Sequence, residues 1–201
     1  MKNIIKIPVF PLNGAIFFPG TNLPLNIFED RYIDMVDYSF SKQKQIGMIQ
    51  EKNDGELYNI GCVGKITSFS ETEDNRYIIN LRGYDFFHVE KEVSSDHKFR
   101  ILNVSIIKQS SESFNKNKFG RDALLKKFYN FIGENSARID YKIIEEVEDV
   151  DLIKFIAMTC PFTTTEKQML LESLNLNDLS NNLISLFDYY SNTNNSTSSI
   201  N

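Results

Sequence analysis

The sequence predicts an α+β protein: a small antiparallel β barrel with one inserted helix, followed by a bundle of α-helices. Three observations carry that reading. Up to about residue 108, short apolar runs with period-two alternation are separated by turn dipeptides. One stretch inside this region, after Leu25, has helical periodicity instead. Beyond a polar segment at 109–118, which contains Ser110-Ser111 and Asn115-Lys116-Asn117, the period stays helical. The expected organisation is therefore a β-rich part at 1–108, a polar loop at 109–118, a helical part at 119–190, and a disordered polar tail at 191–201.

Ile4, Ile7, Val9 and Phe10 predict a first strand, ended by Pro11 and the Asn13-Gly14 turn signal. Ala15 to Phe18 forms a second short apolar run, closed by Pro19-Gly20. Phe28, Tyr32, Met35 or Val36, and Phe40 then recur on one helical face, and Glu29 and Asp30 suit the positive end of the helix dipole. Five strand-like segments follow as a meander: Ile46–Gln50, Cys62–Ser70, Tyr77–Arg82, Phe86–Val93 and Phe99–Lys108. Turns at Asn53-Asp54-Gly55, Glu73-Asp74-Asn75 and Ser94-Ser95-Asp96 separate them. Such strands point to a closed or nearly closed antiparallel sheet.

In the helical part, Ala123, Leu124, Phe128, Phe131 and Ile132 line one stripe that stops at Gly133. Tyr141–Val147 is expected as a short second helix, and Asp151 as the cap of a third, Leu152–Thr159, stopped by Pro161. Thr163 and Glu166 have capping-box spacing and start a fourth. Leu179, Leu183, Leu186 and Phe187 form the apolar side of the last.

Composition narrows the function classes. With 201 residues, 41% hydrophobic and 24% charged, the chain suits an ordinary globular fold. No window approaches the ~18 uninterrupted apolar residues of a membrane span, and no cleavage site follows an apolar leader, so the expected location is the cytoplasm. Cys62 and Cys160 share no metal or redox spacing and are expected to be reduced and buried. Residues 1–110 hold 13 Lys and Arg against 14 Asp and Glu, and residues 111–201 hold 9 against 13. Neither half carries the basic surplus that binding a phosphate backbone requires, so no nucleic-acid partner is expected. Only His88 and His97 are present, without H-E-x-x-H or paired C-x-x-C spacing, and the phosphate-loop, dinucleotide and nucleophile-elbow motifs are missing. The acidic run Glu145-Glu146-Glu148-Asp149 spreads around a helix and reads as a solvated face. No catalytic residue, metal ligand or cofactor is assigned.

The stretch "IPVFPLNGAIFFPGTNLPLNIFEDRYIDMV" resembles the start of the Lon-type N-terminal domain, the substrate-binding module of the ATP-dependent protease Lon. The matching elements, in order, are Phe10-Pro11-Leu12, Phe18-Pro19-Gly20, Leu23-Pro24-Leu25, Phe28-Glu29 and Arg31-Tyr32. "IGCVGKI" at 60–66 and "CPFTTTEKQMLLE" at 160–172, with Pro161, Phe162, Glu166, Lys167 and Gln168, extend the resemblance over roughly residues 4–188. Two departures stand out: Phe86-Phe87 where relatives often carry Arg-Phe, and no Lys or Arg in 168–201. The resemblance implies a PUA-like β pseudo-barrel followed by a helical bundle. It also implies a free-standing, non-catalytic module, an adaptor for unfolded or specific protein segments, with neither ATPase nor peptidase domain and no membrane partner. An RNA-binding PUA-like module, and a hydrolase with an unrecognised site, are the alternatives. Within the motif, Pro19-Gly20 and Pro24 are expected to shape a loop after a short strand. Leu25 and Phe28 are expected in the core, and Glu29, Arg31 and Tyr32 to tie the helix to neighbouring backbone. A rigid proline-rich loop at a barrel mouth would present Phe17 or Phe18 to a partner.

Overall fold

The computed structural model describes residues 4–107, 114–115, 119–133, 144 and 146–198. The chain divides into two compact units, Met1–Gln109 with Thr163–Glu172, and Ser110–Phe162 with Ser173–Asn201.

In the first unit, β1 (Ile4–Pro11), β2 (Asn22–Ile27), α1 (Asp30–Phe40), β3 (Gln45–Ile49), β4 (Ile60–Glu71), β5 (Tyr77–Val93) and β6 (Arg100–Ile107) follow in order. The sheet runs β2-β5-β4-β3-β1-β6, and β5 also pairs with β6, which closes a five-stranded ring and leaves β2 as an edge. The expected all-antiparallel meander is corrected at one place: β1 and β3 are parallel, with Val9 opposite Gly47 and Pro11 opposite Ile49. The intervening β2 and α1 supply the crossover that parallel neighbours need. The two expected strands at 77–82 and 86–93 are one long strand that changes partner midway. Its first part pairs with β2 and its second with β6, while β4 runs along both.

Inside the ring, Ile7, Val9, Ile49, Val63, Phe87, Leu102 and Val104 pack together. Burial of each such side chain contributes about 1.5–3 kcal/mol. On α1, Tyr32, Met35 and Val36 form the buried stripe, as their spacing predicts. Ala15–Phe18, read as a short strand, is instead irregular backbone that drives Ile16, Phe17 and Phe18 into the core. Its turn is held by Thr21 N–H donating to the Phe18 carbonyl at 3.1 Å and Gly20 N–H to the Gly83 carbonyl at 3.0 Å. Here β5 must have no side chain: a Cβ on Gly83 would lie 2.0 Å from the Phe18 carbonyl oxygen.

The helix α4 (Thr164–Leu171) belongs to the barrel unit, not to the helical part in which the sequence places it. It opens on the expected capping box: Thr163 Oγ1 accepts from Glu166 N–H, and Thr163 N–H donates to the Glu166 carboxylate at 2.8 Å. Two buried amides then bind it to the barrel. Gln50 Nε2 donates to Gln168 Oε1 at 3.0 Å and to the Thr164 carbonyl at 3.1 Å, while Gln50 Oε1 accepts from Gly14 N–H at 3.2 Å. Gln168 Nε2 donates to the Ile60 carbonyl at 3.1 Å and to Glu172 at 2.8 Å. Lys167 Nζ donates to the Gly14 carbonyl at 2.7 Å.

The second unit contains α2 (Arg121–Ile132), α3 (Asp149–Thr159) and α5 (Leu176–Ser198). The helix α3 begins two residues before the expected cap Asp151, with Glu148 at the N-cap. Most of the segment expected as a helix at 141–147 lies outside the described residues. Arg121 joins Asp149 at 2.6 Å and donates to the Ile144 carbonyl, so one carboxylate of the acidic run is held in an ion pair. Phe131 packs against Phe162, Phe187 and Tyr190 with ring centroids 5.0 to 5.3 Å apart. The tail expected to be disordered over 191–201 is corrected over 191–198, where the last helix continues to Ser198, and the remaining residues lie outside the described ones. There Ser191 donates to the Phe187 carbonyl and Thr193 to the Tyr190 carbonyl. Cys62 and Cys160 are buried.

Two stability measurements follow. Gly83→Ala should lower unfolding free energy by about 2–4 kcal/mol, because the new methyl must displace backbone and not a flexible side chain. An unchanged thermal midpoint would contradict the close approach. In a chemical-denaturation cycle, Gln50→Met and Gln168→Met should each cost about 2–3 kcal/mol by stranding buried polar groups. The double variant should cost at least ~0.5 kcal/mol less than their sum, whereas strict additivity would mean the two amides are not one network.

Candidate functional site

The motif residues separate into those that build the fold and those that do not. Phe17 and Phe18 are each 1% exposed, so the expectation that they face a partner is corrected. Phe18 meets Phe86 edge-on at 6.2 Å, and the Pro19-Gly20 turn pinned on Gly83 holds both phenylalanines inward. Pro19 is buried, and Gly20 takes the left-handed conformation at φ 84°.

Pro24, expected in a loop, lies in the edge strand β2 opposite Asn80. Gly83 N–H donates to the Thr21 carbonyl at 2.9 Å, which sets the phase of this strand. Thr21, and by period two Leu23, Leu25 and Ile27, direct their backbone groups toward β5, while Asn22, Pro24 and Asn26 direct theirs to the open side. Proline has no N–H, so the exposed edge lacks its central donor and resists pairing with another strand.

Tyr32 is buried and meets Phe10 edge-on at 4.3 Å, with the Arg31 guanidinium 4.5 Å from its ring centre. Burial pushes the Tyr32 phenol above its ordinary range, and neighbouring Arg31 opposes that shift. Glu29 and Arg31 pair with each other at 2.9 Å on the surface, in place of the expected tie to neighbouring backbone. Exposed pairs of this kind are worth ~1 kcal/mol or less. Pro161 is exposed, Phe162 enters the aromatic cluster of the second unit, and Glu166, Lys167 and Gln168 cap and anchor the helix that opens at Thr164.

Phe28 is the largest departure. It precedes α1 instead of lying on its buried face and is 64% exposed, against the expectation of a core position; Ile27 takes the core position and Leu25 is half-buried. Strand register places its surroundings. Ile27 stands opposite Tyr77, Asn26 opposite Ile78, and β4 brings Phe69 opposite Ile79. All three lie toward one end of the β2-β5-β4 sheet, but Phe69, 43% exposed, shares the face of Ile79 and Tyr77, whereas Ile78, 46% exposed, projects from the opposite face with Asn26. Beneath Phe69, Phe40 and Tyr77 pack edge-on at 5.1 and 4.8 Å, so the aromatic is held by rigid neighbours. Desolvation first, then the Asp37 carboxylate, raises the Tyr77 phenol. The surrounding charges have both signs: Arg76 joins Asp74 at 2.7 Å, and Lys44 lies 5.8 Å from the Phe40 ring. This end can receive apolar side chains and offers no paired nucleophile and base. Among the described residues, no group of three or more His, Cys, Asp or Glu is placed to hold a metal ion. Sequence periodicity missed Phe69 and Ile78 because both lie within otherwise regular strands. It missed Gln50 because its partners lie more than a hundred residues away.

No helix among the described residues is long and apolar enough to cross a membrane. The fold matches the Lon N-terminal domain protein from Xanthomonas campestris with TM-score 0.65 at 19% identity, covering 92% of this chain and 98% of that one. It matches the N-terminal domain of the Mycobacterium avium complex Lon protease with TM-score 0.69 at 17% identity, over 93% and 98%. In sequence the chain is 23% identical to the Lon protease of Buchnera aphidicola subsp. Baizongia pistaciae over 92% of its own length, and 26% identical to that of subsp. Acyrthosiphon pisum over 87%. It spans about a quarter of the length of those relatives. Residues 6–188 match the family model for the ATP-dependent protease La (LON) substrate-binding domain, and the chain belongs to that family.

Proposed function

We propose that this chain is a protein-recognition module that binds unfolded or specific segments of other polypeptides and performs no covalent chemistry on them. The observation that carries the reading is the exposure of Phe28 and Phe69 toward one end of the sheet, with Phe69 backed by Phe40 and Tyr77. Large exposed aromatics give a folded monomer nothing, and rigidly backed ones are the groups that dominate protein contacts. Family membership supports the same reading. In it, the module works in the cytoplasm as an adaptor that delivers clients to a protease or chaperone. The motif residues Phe18, Pro19, Gly20, Pro24 and Gln168 serve it only through the fold.

Binding of fluorescein-labelled, reduced and carboxymethylated α-lactalbumin, followed by anisotropy, tests the proposal. Phe28→Asp with Phe69→Asp should weaken binding at least about tenfold, since a central aromatic contact is worth ~1–2 kcal/mol or more, while the melting temperature stays within ~2 °C of the parent. Undiminished binding by the folded variant would move recognition to another surface. Cleavage of that protein, or of peptide and ester panels, by the purified chain would overturn the non-catalytic reading.

A further inference from the structure

We propose that the N-terminal half of β1 is a second recognition site, which takes an extended, acidic peptide segment as an added strand beside Lys6. This rests on the protein-recognition reading and adds a substrate chemistry to it. The backbone of β1 carries the first part of the argument. Leu12 N–H donates to the Ile49 carbonyl at 2.9 Å, and Phe10 stands opposite Met48 in the parallel pairing with β3. Even-numbered residues of β1 therefore direct their N–H and C=O groups toward the β3 side, and odd-numbered ones toward β6. The β3 pairing reaches back only to Val9, whereas the β6 pairing continues to Ile4. Lys44, at φ 57°, turns the chain just before β3 begins. Ile4 and Lys6 are left with backbone donors and acceptors facing a side where no described strand pairs with them. Unlike the β2 edge, where Pro24 removes the central donor, this edge keeps the N–H of Lys6.

The second part is the space beside that edge and its charge. A groove of about 700 Å³ is lined by Ile5, Lys6, Ile7, Pro8, Tyr38 and Lys42, with the Gln43 and Gln45 amides completing it. Its lining holds two ammonium groups and no carboxylate, in a chain of net charge −5. Among the described residues neither Lys6 nor Lys42 pairs with an acid; the Lys42 ammonium stands 5.7 Å from the Tyr38 ring instead. An unpaired sheet edge supplies main-chain affinity for any extended segment, and the two cations select one that carries carboxylates.

The probe is a fluorescein-labelled nine-residue peptide of alternating valine and glutamate, measured by anisotropy against the full chain. Binding should weaken at least about tenfold in Lys6→Glu and in Lys42→Glu, each checked by circular dichroism for an intact fold. A valine–lysine peptide should bind at least about tenfold more weakly. So should the glutamate peptide with alternate amides N-methylated, which keeps its charge and loses the strand donors. The Phe28→Asp, Phe69→Asp variant should bind this probe as the parent does, so loss of α-lactalbumin binding and loss of peptide binding report on different sites. Equal binding of both peptide charges, indifference to N-methylation, or no binding would overturn the proposal. It would also fall if Lys42→Glu dissolved a dimer seen by sedimentation, because the occupant would then be a second copy. Displacement of the probe by single-stranded RNA at equal concentration would assign the cations to phosphate instead.

Discussion

The Gln50–Gln168 amide pair is the interaction on which the first unit depends. All four of its amide hydrogens donate: to Thr164 and Gln168 from one side chain, and to Ile60 and Glu172 from the other. The Gly14 N–H donating to Gln50 Oε1 fixes the orientation of the whole set, since reversing either amide would set donor against donor. A buried polar pair with every position satisfied tolerates little displacement. It therefore holds the Asn13-Gly14 turn, the end of β3 and the helix at 164–171 as one body. The buried Lys167 reinforces it on the same Gly14 residue.

What was legible in the sequence was local. The helical period of Tyr32, Met35 and Val36, the Thr163–Glu166 capping box, the Gly133 stop and the turn at Asn53-Asp54-Gly55 all depend on neighbours within one or two turns of chain. The hidden features were set by pairings between distant segments. Nothing in Gln45–Ile49 announces that it runs parallel to β1, and nothing in Ala15–Phe18 announces that Gly83 will cross it. Phe28 shows the same limit from the other side. Its spacing from Tyr32 fits a helical face, but Glu29 adopts an extended conformation at φ −81°, ψ 130°, so the helix begins too late to bury it.

The two open edges of the sheet illustrate how one architecture separates protection from access. The β2 edge carries proline at a residue whose backbone faces outward, in the part of the sheet that exposes Phe28 and Phe69. Blocking strand addition there lets side chains at that end act without the edge recruiting a second chain. Proline also occurs in β1, at Pro8, but it lies where the β3 pairing begins, so the residues before it keep their donors.

The barrel is also assembled from pieces made far apart in time. Gln50 finds partners 114 and 118 residues later in the chain. At ordinary synthesis rates, roughly 3 to 13 seconds separate residue 109 from residue 172 as the chain grows. Until the later segment emerges, the Gln50 amide N–H groups and the Gly14 carbonyl lack the partners that Thr164, Lys167 and Gln168 supply. A nascent chain that has already made every strand is thus still short of its native barrel, and a message cut after the last strand would encode an incomplete fold, not a smaller domain.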